Sequence, residues 1–441
     1  MFFRWTVASL DEKVKAQLMP ASSQPFRWSA ATPAQRRVVI AAGLGWMLDA
    51  FDVMLYSIIL ASLMSAFGMS KSTAGLLNAL TLVASACGGI LFGLLADRFG
   101  RRPMLSVSIL VYSIFTAACG LSTTIPALAI CRFLLGLGMG GEWNTGATLV
   151  AETWPAALRG RALGIVQSSW AVGYALSALV AGIILAHFSW RYAFFAGILP
   201  AIAVLWIRRE VPEPEVFLRA RETATSRWSL RPLILRPFLR PLILLTAANT
   251  CGMFAWWGLF TWIPAYLVLD AAHGGRGFSL LNLTGFLVAL NLVGMLPGYL
   301  LFGVIADRFG RRLSFVIYLA AAAASVALFA AARQPVAIFL AACVSAFFGT
   351  GFFTGSGIIA SEIFPTSIRA TALGISYNLA RGLSALAPFT IGVLAERHGL
   401  AAAFTVSAVA FALAAFFGLF LPETGGAGLE VASCASSLQT S

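Results

Sequence analysis

Five ionisable side chains fall inside long apolar runs of this sequence: Asp49, Asp52, Arg132, Glu142 and Arg381. A charge in such a run is costly, so each one marks a candidate site by default. Two kinds of chemistry are open to them. A carboxylate near an Arg can load and release a proton as its access to water changes. A guanidinium offers a planar fork of donors that grips a carboxylate through two hydrogen bonds. Spacing assigns the roles. At 1.5 Å per residue, Asp49 and Asp52 stand roughly 17 and 21 Å along a run that starts near Val38. Arg132 and Glu142 stand roughly 27 and 12 Å from the end of a run that closes near Val150. The long Arg132 side chain can therefore share a level with Asp52, and a carboxylate so placed is a candidate proton carrier. The plainer alternative is a static ion pair that neutralises two buried charges. Two aspartates for one Arg leave a spare acid, which favours the proton-handling reading.

Arg381 has no acid in its own run. Tyr377 and Asn378 precede it by four and three residues and share its helical face. The three together make a candidate anion clamp, unless Arg381 pairs with an acid of another helix such as Asp49. Gln167, Trp170, Tyr174, Asn249 and Trp256 complete the candidate binding set. Aromatic residues can equally pack or anchor at an interface, and asparagines can bridge helices. No enzyme centre is legible, because His187, His273 and His398 sit in or beside loops far from the intramembrane acids. The six cysteines show neither C-x-x-C spacing nor His partners, so neither a metal nor a cofactor is expected.

The elements that must hold these residues are helices in a membrane. The chain has 441 residues, 59% hydrophobic and 11% charged, with a mean hydropathy of +0.87. Soluble domains carry roughly 25% charged residues, and this chain cannot cover a water-facing surface. Its net charge of +13 suits cytoplasmic loops better than a nucleic-acid groove. Spans of about 20 residues are expected near 38–64, 75–95, 104–122, 126–150, 162–186, 190–208, 240–269, 282–305, 313–332, 335–359, 371–395 and 401–421. Thr32, Pro33 and Gln35 read as the cap, first turn and capping-box partner of the first. No signal-peptide core precedes it, so the first span should insert as an uncleaved anchor. Lys and Arg crowd the segments before span 1, between spans 2 and 3, and in the central 209–239 stretch, which puts both termini in the cytoplasm. Gly89/Gly93, Gly136/Gly140 and Gly294/Gly298 have the spacing that lets helix backbones approach closely. Pro264, Pro297 and Pro388 lie within spans as candidate kinks.

The chain is also duplicated. G-L-L-A-D-R-F-G-R-R at Gly93–Arg102 returns as G-V-I-A-D-R-F-G-R-R at Gly303–Arg312, an offset of 210 residues. The same offset carries Glu152, Pro155 and Arg159 onto Glu362, Pro365 and Arg369. The expected fold is therefore an all-α polytopic membrane protein of twelve helices in two pseudo-symmetric six-helix bundles. The parts are a tail (1–36), a first bundle (37–208), a central loop (209–239), a second bundle (240–421) and a second tail (422–441). Asp97, Arg101, Arg102, Glu152, Arg159 and Arg161 make a charge cluster at one loop, and Asp307, Arg311, Arg312, Glu362 and Arg369 repeat it. Positive-inside topology explains the Arg residues but not the acids that recur in register.

A D-R-x-G-R-R loop between apolar spans, present twice, resembles the signature loop of the major facilitator superfamily. G-W-M-L-D-A-F-D (Gly45–Asp52) and R-F-L-L-G-L-G-M-G-G-E-W (Arg132–Trp143) look like the first and fourth helices of its proton-coupled organic-acid symporters. That group includes aromatic-acid, sialate and lactate/pyruvate branches, and the likeness covers roughly residues 36–422. It implies the major facilitator fold and proton-coupled uptake of a small organic anion by alternating access. It also implies transport-critical roles for Asp49, Asp52, Arg132 and Glu142, and a gate latch in the two charge clusters. Its partners would be a small organic anion, protons and lipid, with no nucleic acid, and the carrier would be a monomer in the inner (plasma) membrane. The aromatic-acid branch usually reads D-G-F-D where this chain has Asp49-Ala50-Phe51-Asp52. That departure tilts the substrate toward a simpler monocarboxylate, with a sugar acid, sialate or aromatic acid as alternatives. An efflux antiporter is disfavoured by the lack of a Gly-Pro pair near Gly173, and a transporter-like receptor by the short tail after Pro422.

Overall fold

A computed structural model describes residues 31–154, 156–211, 213, 236–270, 274–364 and 366–424. The expectations for the remaining tail and central-loop residues lie outside the described residues. The helices are α1 (Pro33–Phe67), α2 (Lys71–Phe99), α3 (Arg101–Cys119), α4 (Ile125–Thr153), α5 (Ala156–His187), α6 (Trp190–Ala196) and α7 (Pro200–Glu210). There follow α8 (Arg236–Val268), α9 (Leu280–Ala289), a π-helical stretch Leu290–Met295 and α10 (Leu296–Phe309). The last are α11 (Arg311–Ala331), α12 (Pro335–Ile363), α13 (Thr366–Ser384), α14 (Leu386–His398) and α15 (Leu400–Leu419). Among the described residues, eleven stretches are long and apolar enough to cross a membrane.

Local chemistry starts and stops these helices where the sequence suggests. The Thr32 side chain accepts from the Gln35 backbone at 3.2 Å and the Gln35 side chain from the Thr32 backbone at 3.0 Å. Two otherwise orphaned donors are thereby satisfied. The Ser70, Thr124 and Ser279 side chains likewise accept from the backbone amides of Thr73, Ala127 and Asn282 at the starts of α2, α4 and α9. Gly100 and Gly310, the glycines of the two G-R-R loops, turn the chain at φ 107° and 97°. Only glycine occupies that region without strain.

Three expected spans are interrupted. The sixth, 190–208, is two helices joined at Gly197–Leu199 by tight i→i−3 bonds such as Gly197 N to Phe194 O at 3.0 Å. Pro200 has no amide to continue the ladder. The eighth carries the π-helical stretch just before Pro297, which accommodates the ring without a break. The eleventh breaks at Ala385, because Pro388 cannot donate to the Ser384 carbonyl. Pro264, by contrast, sits in an unbroken α8.

Glycines set the closest helix contacts. A Cβ at Gly136 would meet the Thr81 carbonyl and one at Gly140 the Ser85 carbonyl, so α4 lies directly on the backbone of α2. Gly294 and Gly298 do the same for the eighth span against α12. Gly93 has nothing within 4 Å, so the Gly89/Gly93 pair packs only through Gly89. Helices α1–α7 and α8–α15 meet where α1 lies against α8 and along two flanking seams. One joins α2 to α13 and α14, and the other joins α5 to α9 and α10. The end where α1 closes and α2 opens is called below the Lys71 end, and the end with the two G-R-R loops the Arg101 end.

Candidate functional site

Near the middle of the molecule a cavity is lined by Trp46, Gln167, Trp170, Trp256, Tyr377 and Arg381, with Met253, Trp257, Tyr299 and Phe353 completing the wall. It measures about 20 Å³, room for about one water molecule. Aromatic contacts hold it shut: Trp46 packs at a tilt against Trp170 at 4.7 Å and Trp143 at 4.6 Å, and Trp143 meets Tyr377 at 5.8 Å. Trp170 meets Trp256 edge-on at 5.9 Å across the two halves. The duplication explains the arrangement. The 210-residue offset relates Trp46 to Trp256, Trp143 to Phe353 and Gln167 to Tyr377. Trp46, Met253, Trp257, Tyr299 and Phe353 lie outside the binding set read from residue types, although that offset would have paired Trp46 with Trp256 and Phe353 with Trp143.

Arg381 breaks the symmetry, since its counterpart is Ala171. It is 2% exposed, and its Nε and Nη2 have no hydrogen-bond acceptor. The indole Nε1 atoms of Trp46, Trp170 and Trp256 are likewise buried and unpartnered. Every buried, unpartnered polar atom on the cavity lining is thus a donor. Asp49 and Glu142 are fully buried and act on Arg381 electrostatically without pairing with it. Both Asp49 oxygens and Glu142 Oε2 lack a partner. The Glu142 carboxylate lies against Gly45, where an added Cβ would make it shift.

The structure separates Asp52 from Arg132. Thr116 donates to Asp52 Oδ2 at 3.1 Å, and the other oxygen faces Gly197 at the break in the sixth span. The Arg132 guanidinium lies over the Tyr56 ring, 3.8 Å from its centroid, and donates to Asn78 Oδ1 at 2.8 Å. The two charges form no ion pair: Asn78 and Tyr56 hold the guanidinium, and Tyr56 is four residues past Asp52 on α1. Asn378 turns its amide onto its own helix, donating to Gly374 O at 3.0 Å. Tyr174 and Asn249 are buried with unpartnered polar atoms but do not line the cavity.

At the Arg101 end, Arg101 pairs with Glu152 at 3.0 Å and Arg311 with Glu362 at 3.2 Å. Each pair stays within its own half. Glu213 accepts from the backbone amides of Arg101 and Arg102, and Glu423 from those of Arg311 and Arg312. These two carboxylates cap the N-termini of α3 and α11. Both were missed, although Pro212-Glu213 and Pro422-Glu423 stand at the same 210-residue offset. Side chains of Asp97, Arg159, Arg161, Asp307 and Arg369 lie outside the described residues.

A fold of two related six-helix halves around a buried central cavity is that of a membrane carrier. The chain belongs to the Major Facilitator Superfamily, whose sequence profile matches residues 42–284 and 280–432. It is 35% identical over 417 residues to the Probable 4-methylmuconolactone transporter of Cupriavidus pinatubonensis, covering 92% of this chain and 95% of that protein. It is 32% identical to the cis,cis-muconate transport protein of Acinetobacter baylyi, covering 84% and 90%. The inward-open xylose transporter XylE of Escherichia coli shares its fold at a TM-score of 0.70 with 20% identity, over 91% of this chain and 99% of that one. The protein is a multi-pass membrane transporter rather than an enzyme.

Proposed function

We propose that this chain takes up a small, flat organic anion by proton-coupled symport and alternating access. The donor-only cavity carries the reading: a buried guanidinium and three indole N–H groups have no acceptor, and a carboxylate supplies what they lack. Indole and phenyl walls favour a planar conjugated or aromatic body. They move the choice among organic acids away from the simplest monocarboxylate despite Ala50. The names of the two relatives, which transport a muconate and a methylmuconolactone, agree.

Charge balance supplies the coupling. One guanidinium faces Asp49 and Glu142, and an arriving substrate carboxylate would make three acids for one cation. Protons on Asp49 and Glu142 leave the substrate as the counterion of Arg381, so substrate and protons favour each other's binding. Asp52 adds a third acid beyond the cavity. The two halves, 37–208 and 240–421, move against each other about the 209–239 connection, with tails 1–36 and 422–441. The clusters at the Arg101 end act as the gate on that side. Lys and Arg place that end and both termini in the cytoplasm, in the plasma membrane, and one copy suffices for the cycle.

The test is uptake into proteoliposomes, with and without an inward proton gradient, of labelled cis,cis-muconate, benzoate, lactate and sialate. Gradient-driven accumulation of the flat acids, and not of their amides, is expected. Accumulation of lactate or sialate alone overturns the substrate class, and uptake indifferent to the gradient overturns the coupling.

A further inference from the structure

The Lys71 end is closed along a seam of α2, α8 and α14. Within the second half Trp262 Nε1 donates to Pro388 O at 2.9 Å, and across the seam the Ser72 amide donates to Glu396 Oε1 at 2.8 Å. Gly75 and Gly392 press so closely on Pro388 and Lys71 that a Cβ at either would strike backbone. Beneath this surface runs a buried polar chain. Arg132 Nη2 donates to Asn78 Oδ1 at 2.8 Å, and Asn78 Nδ2 donates in turn to Thr261 Oγ1 at 2.9 Å. Arg132 and Asn78 belong to one half and Thr261 to the other, so the last bond crosses the seam. None of the three residues is exposed by more than 1%.

Arg132 is held by little else. Its Nε and Nη1 are buried without an acceptor, and its guanidinium rests on the Tyr56 ring. Asp52 lies four residues before Tyr56 on α1, one turn away, and its Oδ1 is also buried without a partner. The Cys119 thiol lies in the field of both charges. Asp52 and Tyr56 are neighbours on one face of α1, roughly 6 Å between Cβ atoms, so an unfilled acceptor stands one turn from the ring on which the unfilled donor rests. The guanidinium stays on its side because Asn78 accepts from it, and Asn78 is oriented to do so because Thr261 accepts its amide.

We propose that Asn78 and Thr261 are positioning residues that hold Arg132 away from Asp52 while the Lys71 end is closed and release it to Asp52 when that end opens. Opening separates α8 from α2 and removes the Thr261 acceptor. Asn78 is then free to turn, and Arg132 swings on the Tyr56 ring toward the carboxylate. The gate and the charge compensation of Asp52 become one equilibrium, which is the link a coupled carrier needs. This rests on transport by alternating access, as proposed above, but not on which anion is carried.

Backbone amide exchange of the full chain in lipid nanodiscs, read over Ser70–Gly75, tests it without substrate. Thr261→Val keeps the shape and removes the acceptor. It should raise exchange there by about two- to tenfold, the ratio expected for one net hydrogen bond, and Thr261→Ser should restore it. Asn78→Asp gives Arg132 a fixed anion in place, so it should slow exchange at that end and abolish net uptake driven by the gradient. The opposite signs of these two variants separate a switch from general damage. Exchange in Thr261→Val equal to wild type, or faster exchange in Asn78→Asp, overturns the proposal. A wrong substrate assignment would leave these exchange patterns intact and show only as missing uptake.

Discussion

At Arg381 a single side chain selects the sign of what binds. A planar fork of donors set among indoles suits a carboxylate, and a charge-assisted pair is worth about 1.5–3 kcal/mol. Arg381→Ala should therefore raise the dissociation constant of the anion by about ten- to a hundredfold, read from quenching of the cavity tryptophans in detergent. Arg381→Lys should recover only part, since a point charge cannot reproduce the fork. If Arg381→Ala binds the acid normally but loses proton dependence, Arg381 serves Asp49 and Glu142 instead. The acids give the complementary expectation. Asp49→Asn and Glu142→Gln should each lower gradient-driven accumulation while leaving substrate exchange, measured in the same vesicles by counterflow. Accumulation at the wild-type level in both would move the proton to Asp52.

At the scale of elements, the two G-R-R loops work as a turn and a cap. Gly100 and Gly310 hold a backbone conformation closed to other residues. Gly100→Ala should lower stability by about 1–3 kcal/mol, with its Cβ also 3.2 Å from the Glu213 carboxylate. Glu213→Gln and Glu423→Gln should each cost roughly 0.3–1 kcal/mol, up to about 2, as carboxylates lost from helix N-termini. Thermal unfolding in detergent micelles reads all three, and unchanged midpoints would mean that the capping bonds contribute nothing. The broken spans have a related logic. Asp52 faces the break in the sixth span and Arg381 stands four residues before the break in the eleventh, so each charge lies beside backbone that is not locked in a ladder.

For the whole molecule, the seams decide which side the cavity can open to. The α2–α14 seam relies on glycine at 75 and 392, where backbone meets backbone. Gly75→Ala should act as a wedge and populate the arrangement open at the Lys71 end. An impermeant thiol reagent should then label a cysteine placed at Trp262 faster than in the same protein with Gly75 intact. Net uptake should fall, because a carrier that cannot close cannot reset. Equal labelling would show that the seam yields without opening. Nothing comparable is expected at Gly93, which touches no neighbour.

Composition and the 210-residue repeat determined the class, the number of spans and the two-fold plan, because burial in lipid and duplication both leave linear marks on a chain. The five intramembrane charges were legible for the same reason: a charge is conspicuous in an apolar run. Which charges face each other was not. Distance along a helix axis gives depth but not azimuth, so it placed Arg132 level with Asp52 while the fold turned it onto Tyr56 and Asn78. Asn78 and Thr261 are 183 residues apart and uncharged, and no pattern marks such a pair until two halves close on it. The cavity wall was half legible: Trp46 and Trp256, or Trp143 and Phe353, are related by the offset, yet only packing shows that they converge. Glu213 and Glu423 sat in register throughout, but a cap is defined by the helix end it reaches. The tertiary structure alone decided that, because a backbone amide becomes an unmet donor only where its helix begins.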